Sequence, residues 1–275
     1  MISTVDVDRS ATTRPTVLFR HGVSVVLPAH NEEAVIEQTV RRCLETLALV
    51  TADYEVILVD DGSIDRTGAI ADAIAYTDPH LKVVHNRPNR GYGGALKAGF
   101  DAARKDYTFF MDSDGQFDIM EITGLLRQVD RGFRAALGYR SPRRDPVMRL
   151  ANAWGWKLLI SGLFGLRVRD IDCAFKLYDS AVLRSMQVVA EGATINAEML
   201  IKLTRMGIPF AQVRVTHYPR LHGEASGASP KVIIRAFREL FRLRGRLQHW
   251  SATAPLPRTV VVATAPAEEL AIGVS

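Results

Sequence analysis

From residue 23 onward, short apolar runs alternate with longer segments in which apolar residues recur every three or four positions. The apolar runs are typical of buried parallel strands, and the periodic segments are typical of helices packed against them. The predicted strands are 23–27, 56–59, 81–85 and 107–111, and the predicted helices are 32–49, 65–76 and 94–104. This alternation predicts an α/β fold with a mainly parallel, doubly wound sheet that carries helices on both faces.

After residue 116 the alternation becomes less regular. The predicted elements there are, in order, a helix at 118–131, a strand at 135–138, a basic proline-containing loop at 141–149, an apolar and aromatic segment at 151–164, a helix at 195–205, a strand at 210–215, a Gly/Ser-rich loop at 219–230 and a helix at 231–247. We expect three regions: a flexible arm at 1–20, one domain at 21–248 that ends in a basic amphipathic helix, and a disordered Ala/Pro/Thr-rich tail at 249–275.

Composition limits the size of the domain, the cellular compartment and the classes of partner that we expect. The 275 residues are 47% hydrophobic, which is enough to bury one sizeable core. Two cysteines, no N-terminal signal pattern and no apolar run of about 18 residues predict a cytoplasmic protein without a disulfide framework or a spanning helix. The formal charge of +5 admits phosphates or anionic lipid as partners. Nucleic acid is disfavoured because no stripe of interleaved aromatic and basic residues is present.

Asp112 and Asp114 directly follow the fourth predicted strand. Residues i and i+2 of an extended segment point to the same side, so the two carboxylates could converge on one divalent cation. Two carboxylates do not enclose such an ion, and a substrate diphosphate is the natural further ligand. The motif therefore predicts nucleotide-diphosphate chemistry at the edge of the sheet.

Two further polar clusters, 28–32 and 60–63, follow predicted strands. Ligands of open α/β sheets bind beyond the carboxyl ends of the strands, so three clusters on one edge favour a site there. Asp61 alone is equally well explained as a turn and helix-cap residue, but beside the other clusters a nucleotide contact is favoured. The glycine-rich run 89–94 does not match a dinucleotide fingerprint, because Leu96 stands where glycine is needed, and it predicts a tight turn with close helix packing.

Basic residues are concentrated in the second half of the chain. Arg140 and Arg220 each follow a predicted strand and could hold an anionic acceptor through bidentate hydrogen bonds, whereas Arg143 and Arg144 are read as a solvated face. The predicted helix at 231–247 has basic residues opposite an apolar face. Such a helix could lie on an anionic membrane or could pack its apolar face on the domain, and the sequence leaves both alternatives open.

Six motifs together resemble those of inverting family 2 glycosyltransferases of the GT-A fold, and most of all the dolichyl- or polyprenyl-phosphate mannose and glucose synthases. The motifs are 23–32, 59–63, 91–95, 112–116, 138–140 and 170–176, and the resemblance covers about residues 22–246. Two features depart from the family pattern. The lysine that often follows the Arg-x-x-Gly-Glu-Ser segment is displaced to Lys231, and no apolar run matches the C-terminal transmembrane helices of some members.

The resemblance implies roles for individual residues. The nucleotide sugar would contact Pro28, His30, Glu32, Val59, Asp61, Asp112, Ser113, Asp114 and Gln116. Mg²⁺ or Mn²⁺ would be held by Asp112, Asp114 and Gln116. The acceptor would contact Arg140, Arg149, Arg220 and Lys231, and the catalytic group would be Asp112, Asp114, Arg140 and Arg220.

The resulting expectation is metal-dependent, inverting transfer of a hexosyl group from a nucleotide-diphosphate sugar to a polyprenyl phosphate, with peripheral contact to the cytoplasmic face of an anionic membrane. A phosphate acceptor is already ionised and needs no base. A hydroxyl acceptor would need one, for which Asp170 and Asp172 are the candidates. The remaining alternative is a non-catalytic protein that binds nucleotide sugars.

Overall fold

The computed structural model describes residues 19–141, 147–192, 194–219, 239–240, 242–247 and 250–251. Its strands are β1 Val23–Ala29, β2 Tyr54–Asp60, β3 Leu81–His85, β4 Tyr107–Met111, β5 Ala135–Arg140, β6 Phe175–Asp179 and β7 Ala211–Val215. Its helices are α1 Ile36–Val50, α2 Thr67–Thr77, α3 Gly91–Ala102, α4 Ile122–Asp130, α5 Val147–Phe164, α6 Ser180–Met186 and α7 Ile195–Arg205, with a 3₁₀ turn at Ile119–Glu121 before α4.

The strands form one seven-stranded sheet in the order β3-β2-β1-β4-β6-β5-β7. All neighbouring pairs are parallel except β4–β6 and β6–β5, so β6 alone runs in the opposite direction. The carboxyl ends of β1, β2, β4, β5 and β7 therefore lie at one edge, together with the turn that precedes β6. We call β1–β4 with their loops the N-terminal half, and β5–β7 with their loops the C-terminal half.

The predicted fold class is confirmed, and β3, β4 and α7 begin and end where the sequence predicted. The short elements β6 and α6 were not predicted, because the polar and charged residues of 170–180 conceal a strand of only five residues. The predicted loop at 141–149 ends earlier than expected, since α5 begins at Val147.

The core extends slightly beyond the predicted ends of the domain. Phe19, which the sequence assigned to the arm, is 6% exposed and pairs with Thr51 in a parallel bridge. Trp250, which the sequence assigned to the tail, donates from Nε1 to the Met186 carbonyl oxygen at 3.1 Å. Residues 1–18 and 252–275 lie outside the described residues. Within the described part of the chain, no helix has both the length and the apolar character that crossing a bilayer requires.

Candidate active site at the strand-end edge

The carboxylate motif leaves β4 and is held in place by its middle residue. The Ser113 hydroxyl donates to the Pro28 carbonyl oxygen at 2.7 Å, and the Ser113 carbonyl oxygen accepts from the Thr39 hydroxyl at 3.3 Å. Ser113 is 2% exposed. The serine thus fastens the motif to β1 and α1, while the flanking residues Asp112 and Asp114 are partly exposed at the edge.

The Asp112 carboxyl group is more enclosed than the partial exposure of the residue suggests, and the charge of Asp114 repels it. Burial and the negative charge of Asp114 raise the pKa of Asp112 to about 7, although Arg140 and Lys176 act in the opposite direction. Carboxylate oxygens are the ligands that Mg²⁺ and Mn²⁺ prefer, and a divalent cation would offset this repulsion. The donor set therefore fits such an ion. Among the described residues, no three His, Cys, Asp or Glu side chains are grouped so that they could hold a metal ion by themselves. A substrate diphosphate would be the natural source of further ligands.

Gln116, a predicted metal ligand, connects the motif to the end of β7. Its side-chain Nε2 donates to the Tyr218 backbone carbonyl oxygen at 2.8 Å, and its backbone carbonyl oxygen accepts from the Tyr218 backbone amide at 2.8 Å. These bonds bring the segment that leads to residue 220 next to Asp114. The predicted metal contact of Gln116 stays a prediction.

Asp61 forms a buried hydrogen-bonding centre at the end of β2. Its carboxylate accepts from Asn86 Nδ2 at 2.8 Å and from the Arg90 amide at 2.9 Å. Its carbonyl oxygen accepts from His30 Nδ1 at 2.9 Å and from Asn89 Nδ2 at 2.6 Å. Asp61 is 3% exposed and His30 is exposed, so the cluster presents an ordered polar surface at the edge.

Other predicted nucleotide contacts occupy different depths. Pro28 is buried and pairs with Val59 across β1 and β2, and the Val59 side chain lies against Gly99 of α3. Any contact that Val59 makes with a ligand would therefore use its backbone. Glu32 is partly exposed, and its amide donates to the Thr67 hydroxyl at 2.8 Å, which joins the loops after β1 and β2.

Asp60, the neighbour of Asp61, is fully buried and serves the structure. Burial alone would raise the pKa of Asp60, but hydrogen bonds from Ser63, His85 and Arg87 outweigh it and lower the pKa to about 2. The same contact with Asp60 raises the pKa of His85. This carboxylate is therefore committed to holding the loop after β2.

The glycine-rich run at the start of α3 allows close packing, as predicted. A Cβ on Gly93 would lie 2.6 Å from the Glu191 carbonyl carbon and 2.7 Å from the Ala190 carbonyl oxygen. The Gly93 and Gly94 amides both donate to the Glu191 carbonyl oxygen, at 2.8 and 3.2 Å. The N-terminus of α3 is thus covered by the loop 187–192 and does not form a phosphate loop.

Arg140, the last residue of β5, lies in the C-terminal half. Its Nε and Nη2 donate to the two oxygens of Asp170 at 2.7 and 2.9 Å, and both side chains are largely buried. Burial would lower the pKa of Arg140, but Asp170 outweighs it and raises the pKa further. Asp172, in the same turn, is exposed. The sequence did not distinguish Asp170 from Asp172 as a candidate base, but their environments in the structure are different.

Three predicted acceptor contacts cannot be placed. Arg220 and Lys231 lie outside the described residues, as do Arg143 and Arg144, and Arg149 is described only as a backbone position of α5. Conversely, sequence reasoning assigned no role to Lys176, Asn196 or Tyr92, which the fold brings beside Asp112. A lysine between apolar neighbours in a strand was the available signal for the first of these.

Comparison with known proteins gives the family. A family model described as Glycosyl transferase family 2 matches residues 24–186. Glycosyltransferase AglD of Haloferax volcanii is 34% identical over 223 residues, which are 77% of this chain and 36% of that protein. Undecaprenyl-phosphate 4-deoxy-4-formamido-L-arabinose transferase of Pseudomonas paraeruginosa is 29% identical over 213 residues, which are 77% of this chain and 62% of that protein. The chain thus spans less than two thirds of the length of these relatives.

Solved structures agree with the fold. Glucosyl-3-phosphoglycerate synthase of Mycobacterium tuberculosis, in complex with phosphoglyceric acid, has a TM-score of 0.66 at 21% identity, over 82% of this chain and 80% of that one. The complex of the same enzyme with Mn²⁺, uridine diphosphate and glucosyl-3-phosphoglycerate has a TM-score of 0.64 at 21% identity, with the same coverage. The sheet is therefore that of the GT-A fold. With a family model matched over more than half of its length, the chain belongs to glycosyltransferase family 2.

Proposed function

We propose that this protein transfers a hexosyl group, with inversion, from a nucleotide-diphosphate sugar to a polyprenyl phosphate, and that the transfer depends on Mg²⁺ or Mn²⁺. The observation that carries the proposal is the division of charge along the edge. Asp112 and Asp114 leave excess negative charge in the N-terminal half, and the buried Arg140 lies within electrostatic reach of Asp112 from the C-terminal half. A cationic donor complex and an anionic acceptor would fit the two halves respectively.

The residues of the chain would act mainly by binding and orientation. Asp61, with His30 and Asn89, would hold the nucleoside, while Asp112 and Asp114 would hold the cation that neutralises charge on the departing diphosphate. An M. tuberculosis enzyme of the same fold was crystallised with Mn²⁺ and uridine diphosphate, which supports this arrangement. The name of a P. paraeruginosa relative, an undecaprenyl-phosphate sugar transferase, supports the acceptor class.

Arg140 can contact an acceptor phosphate without leaving Asp170. A guanidinium group has five N–H donors, and the pair with Asp170 uses Nε and one N–H of Nη2. Within the described residues, the other three donors are left for an incoming phosphate. The buried carboxylate keeps the guanidinium oriented, so that less entropy is lost when the acceptor binds.

A hydroxyl acceptor is the second candidate, and the different environments of the two aspartates favour one base for it. Asp170 is held by Arg140 and has a partner on each oxygen, so it is poorly suited to accept a proton. Asp172 is exposed beside the edge and would be the base. Substitution of Asp172 by Asn should abolish transfer to a hydroxyl acceptor and leave transfer to a phosphate acceptor within about threefold of wild type, since an ionised phosphate needs no base.

The proposed membrane contact is better assigned to α5 than to the helix at 231–247. In the described part of that helix, Leu240, Leu243 and Leu247 are at most 4% exposed, so the packing alternative holds there. On α5, by contrast, Trp154 and Leu158 are 67% and 58% exposed and lie one turn apart. A tryptophan and a leucine on a helix that follows the acceptor-side strand suit a lipid interface.

Two experiments test the proposal. The first is a panel of nucleotide sugars, a short polyprenyl phosphate and Mn²⁺ or Mg²⁺, with lipid-linked sugar followed by mass; the absence of product from every pair would refute the function. The second is co-sedimentation with vesicles of phosphatidylcholine and phosphatidylglycerol. Trp154→Ser with Leu158→Ser should reduce binding, whereas Leu49→Ser, at an equally exposed leucine of α1, should not. Equal vesicle binding by the wild type, the double variant and the Leu49→Ser control would refute the assignment to α5.

A further inference from the structure

A buried lysine lies where the two halves of the site meet. Lys176 is the second residue of β6, which lies between β4 and β5, and is 0% exposed. Its ammonium group donates to the Ile171 carbonyl oxygen at 3.1 Å, to the Cys173 carbonyl oxygen and to Asn196 Oδ1 at 2.8 Å. An ammonium group has three donors, and each of them has an acceptor here. Such a complete set fixes all three partners relative to β6.

Two of these partners belong to the turn before β6. That turn carries Asp170, which holds Arg140, and the exposed Asp172. The turn is therefore held by Lys176 through its backbone carbonyl groups and by Arg140 through the Asp170 side chain. A change at Lys176 would reach the C-terminal half of the site through this turn.

The third partner leads to the N-terminal half. Asn196 is 4% exposed at the start of α7, and because its Oδ1 accepts from Lys176, its amide nitrogen is the end left to face Tyr92. The Tyr92 hydroxyl is buried between Asn196 and the Asp112 carboxylate and interacts with both, although within the described chain neither contact has full hydrogen-bond geometry. A tyrosine hydroxyl is protonated at neutral pH, so in this position it can act as a donor toward Asp112.

We propose that Lys176 is a positioning residue that orients Asp112 toward the cation and diphosphate through Asn196 and Tyr92, and that with its other two hydrogen bonds it holds the turn carrying Asp170. The inference rests on the proposed function, because it assigns Asp112 to a cation site. It gives the N-terminal and C-terminal halves a common anchor. Side chains that orient metal ligands in this way typically change metal affinity by 10–100-fold when they are removed.

Binding measurements without an acceptor test this role. Calorimetric titration with UDP and GDP is done with and without Mn²⁺. The Kd without Mn²⁺ divided by the Kd with Mn²⁺ is the gain in nucleotide affinity that the cation provides. In Lys176→Met we expect this gain to fall by about tenfold, while the Kd without cation stays within about twofold of wild type because the contacts around Asp61 are unchanged. Tyr92→Phe should lower the gain as well, and the double variant should lose no more than the worse single variant.

Arg134→Met is the matched control. Arg134 is also a largely buried cation, and its Nη2 donates to Asp179 at 2.7 Å at the opposite edge of the sheet. Its loss should lower the Tm without changing the gain from Mn²⁺. Should Lys176→Met fail to fold, Asn196→Ala replaces it with the same expected loss.

The outcomes separate the two proposals. The positioning role would be overturned if the folded variants gained as much nucleotide affinity from Mn²⁺ as the wild type does. It would also be overturned if the effects of Lys176→Met and Tyr92→Phe on this gain were additive in the double variant. Either result would leave the proposed function standing. A wild-type protein in which Mn²⁺ strengthens binding of neither nucleotide would refute the cation site, and with it both proposals.

Discussion

The candidate donor-binding residues Asp61 and Ser113 of the N-terminal half and the candidate acceptor-binding residue Arg140 of the C-terminal half satisfy their buried polar groups with different partners. In the N-terminal half, side chains such as Asp61 and Ser113 bond to amides and carbonyl groups of neighbouring loops. In the C-terminal half, Arg140 and Asp170 are charges buried as a pair. Bonds to the backbone fix a rigid polar surface, whereas the guanidinium of a charge pair can keep spare donors for an anion. The difference teaches which substitutions should affect the donor and which should affect the acceptor.

The largest effect is expected at the carboxylate pair. Asp114→Asn should lower kcat by at least about a thousandfold, because charge on the departing diphosphate would lose several kcal/mol of stabilisation. Asp118→Asn, a few residues further on and paired with Arg42 at 3.4 Å, should stay within about threefold of wild type. Steady-state kinetics with the nucleotide sugar from the panel would check both. Full activity in Asp114→Asn would contradict the function of the N-terminal half.

The next largest effect separates the two ends of β5. Arg140→Ala should reduce kcat/KM for the phosphate acceptor by about a hundredfold, because a charge-assisted bidentate donor is removed. Arg134→Ala breaks another largely buried Arg–Asp pair just before the other end of the strand, in which Nε and Nη2 both donate to Asp179 Oδ2, and should leave kcat/KM within about threefold. Both should lower the free energy of unfolding in urea, which controls for stability. Equal kinetic losses would mean that Arg140 acts only through the fold.

A smaller effect is expected at Asp61. Asp61→Asn should raise the KM for the nucleotide sugar by about tenfold with kcat little changed, because a binding contact common to the ground state and the transition state is weakened. The Kd for the nucleoside diphosphate without cation should rise in parallel. A fall in kcat at constant KM would instead place Asp61 close to the reacting centre.

The smallest effect is the pH dependence of the Asp60–His85 contact. The pKa of Asp60 is lowered to about 2, so its contribution to stability is complete above its ordinary pKa near 3.8 and is lost as the pH falls toward 2. The pKa of His85 is raised from 6.5, so its contribution is complete below pH 6.5 and is lost as the pH rises through the raised value. Because His85 is 36% exposed, the upper loss should be below about 1 kcal/mol.

Urea unfolding of wild type and His85→Gln across this range would measure both limbs. The variant should lack the decrease above pH 6.5, and its acid loss should begin at higher pH because Asp60 has lost a donor. Identical profiles for the two proteins would contradict the assignment of these pKa shifts.

Local signals in the sequence were enough for the N-terminal half. Its strands are apolar runs, its helices are amphipathic, and the carboxylate and glycine motifs lie at the strand ends, so that topology alone brings them to one edge. The C-terminal half was harder, because β6 has a lysine as its second residue and runs antiparallel to the other strands. Apart from its apolar neighbours, nothing local marks Lys176 as buried, since its acceptors come from residues 171, 173 and 196.

By itself the sequence determined the α/β fold, the family and the pair of carboxylates, because periodicity and motif spacing are properties of neighbouring residues. Only the tertiary structure decided that Asp170 is paired with Arg140 while Asp172 is exposed. It also decided that Leu240, Leu243 and Leu247 are buried and that Tyr92 and Asn196 lie beside Asp112. Those properties depend on desolvation and on contacts between residues far apart in the chain, which no local pattern records.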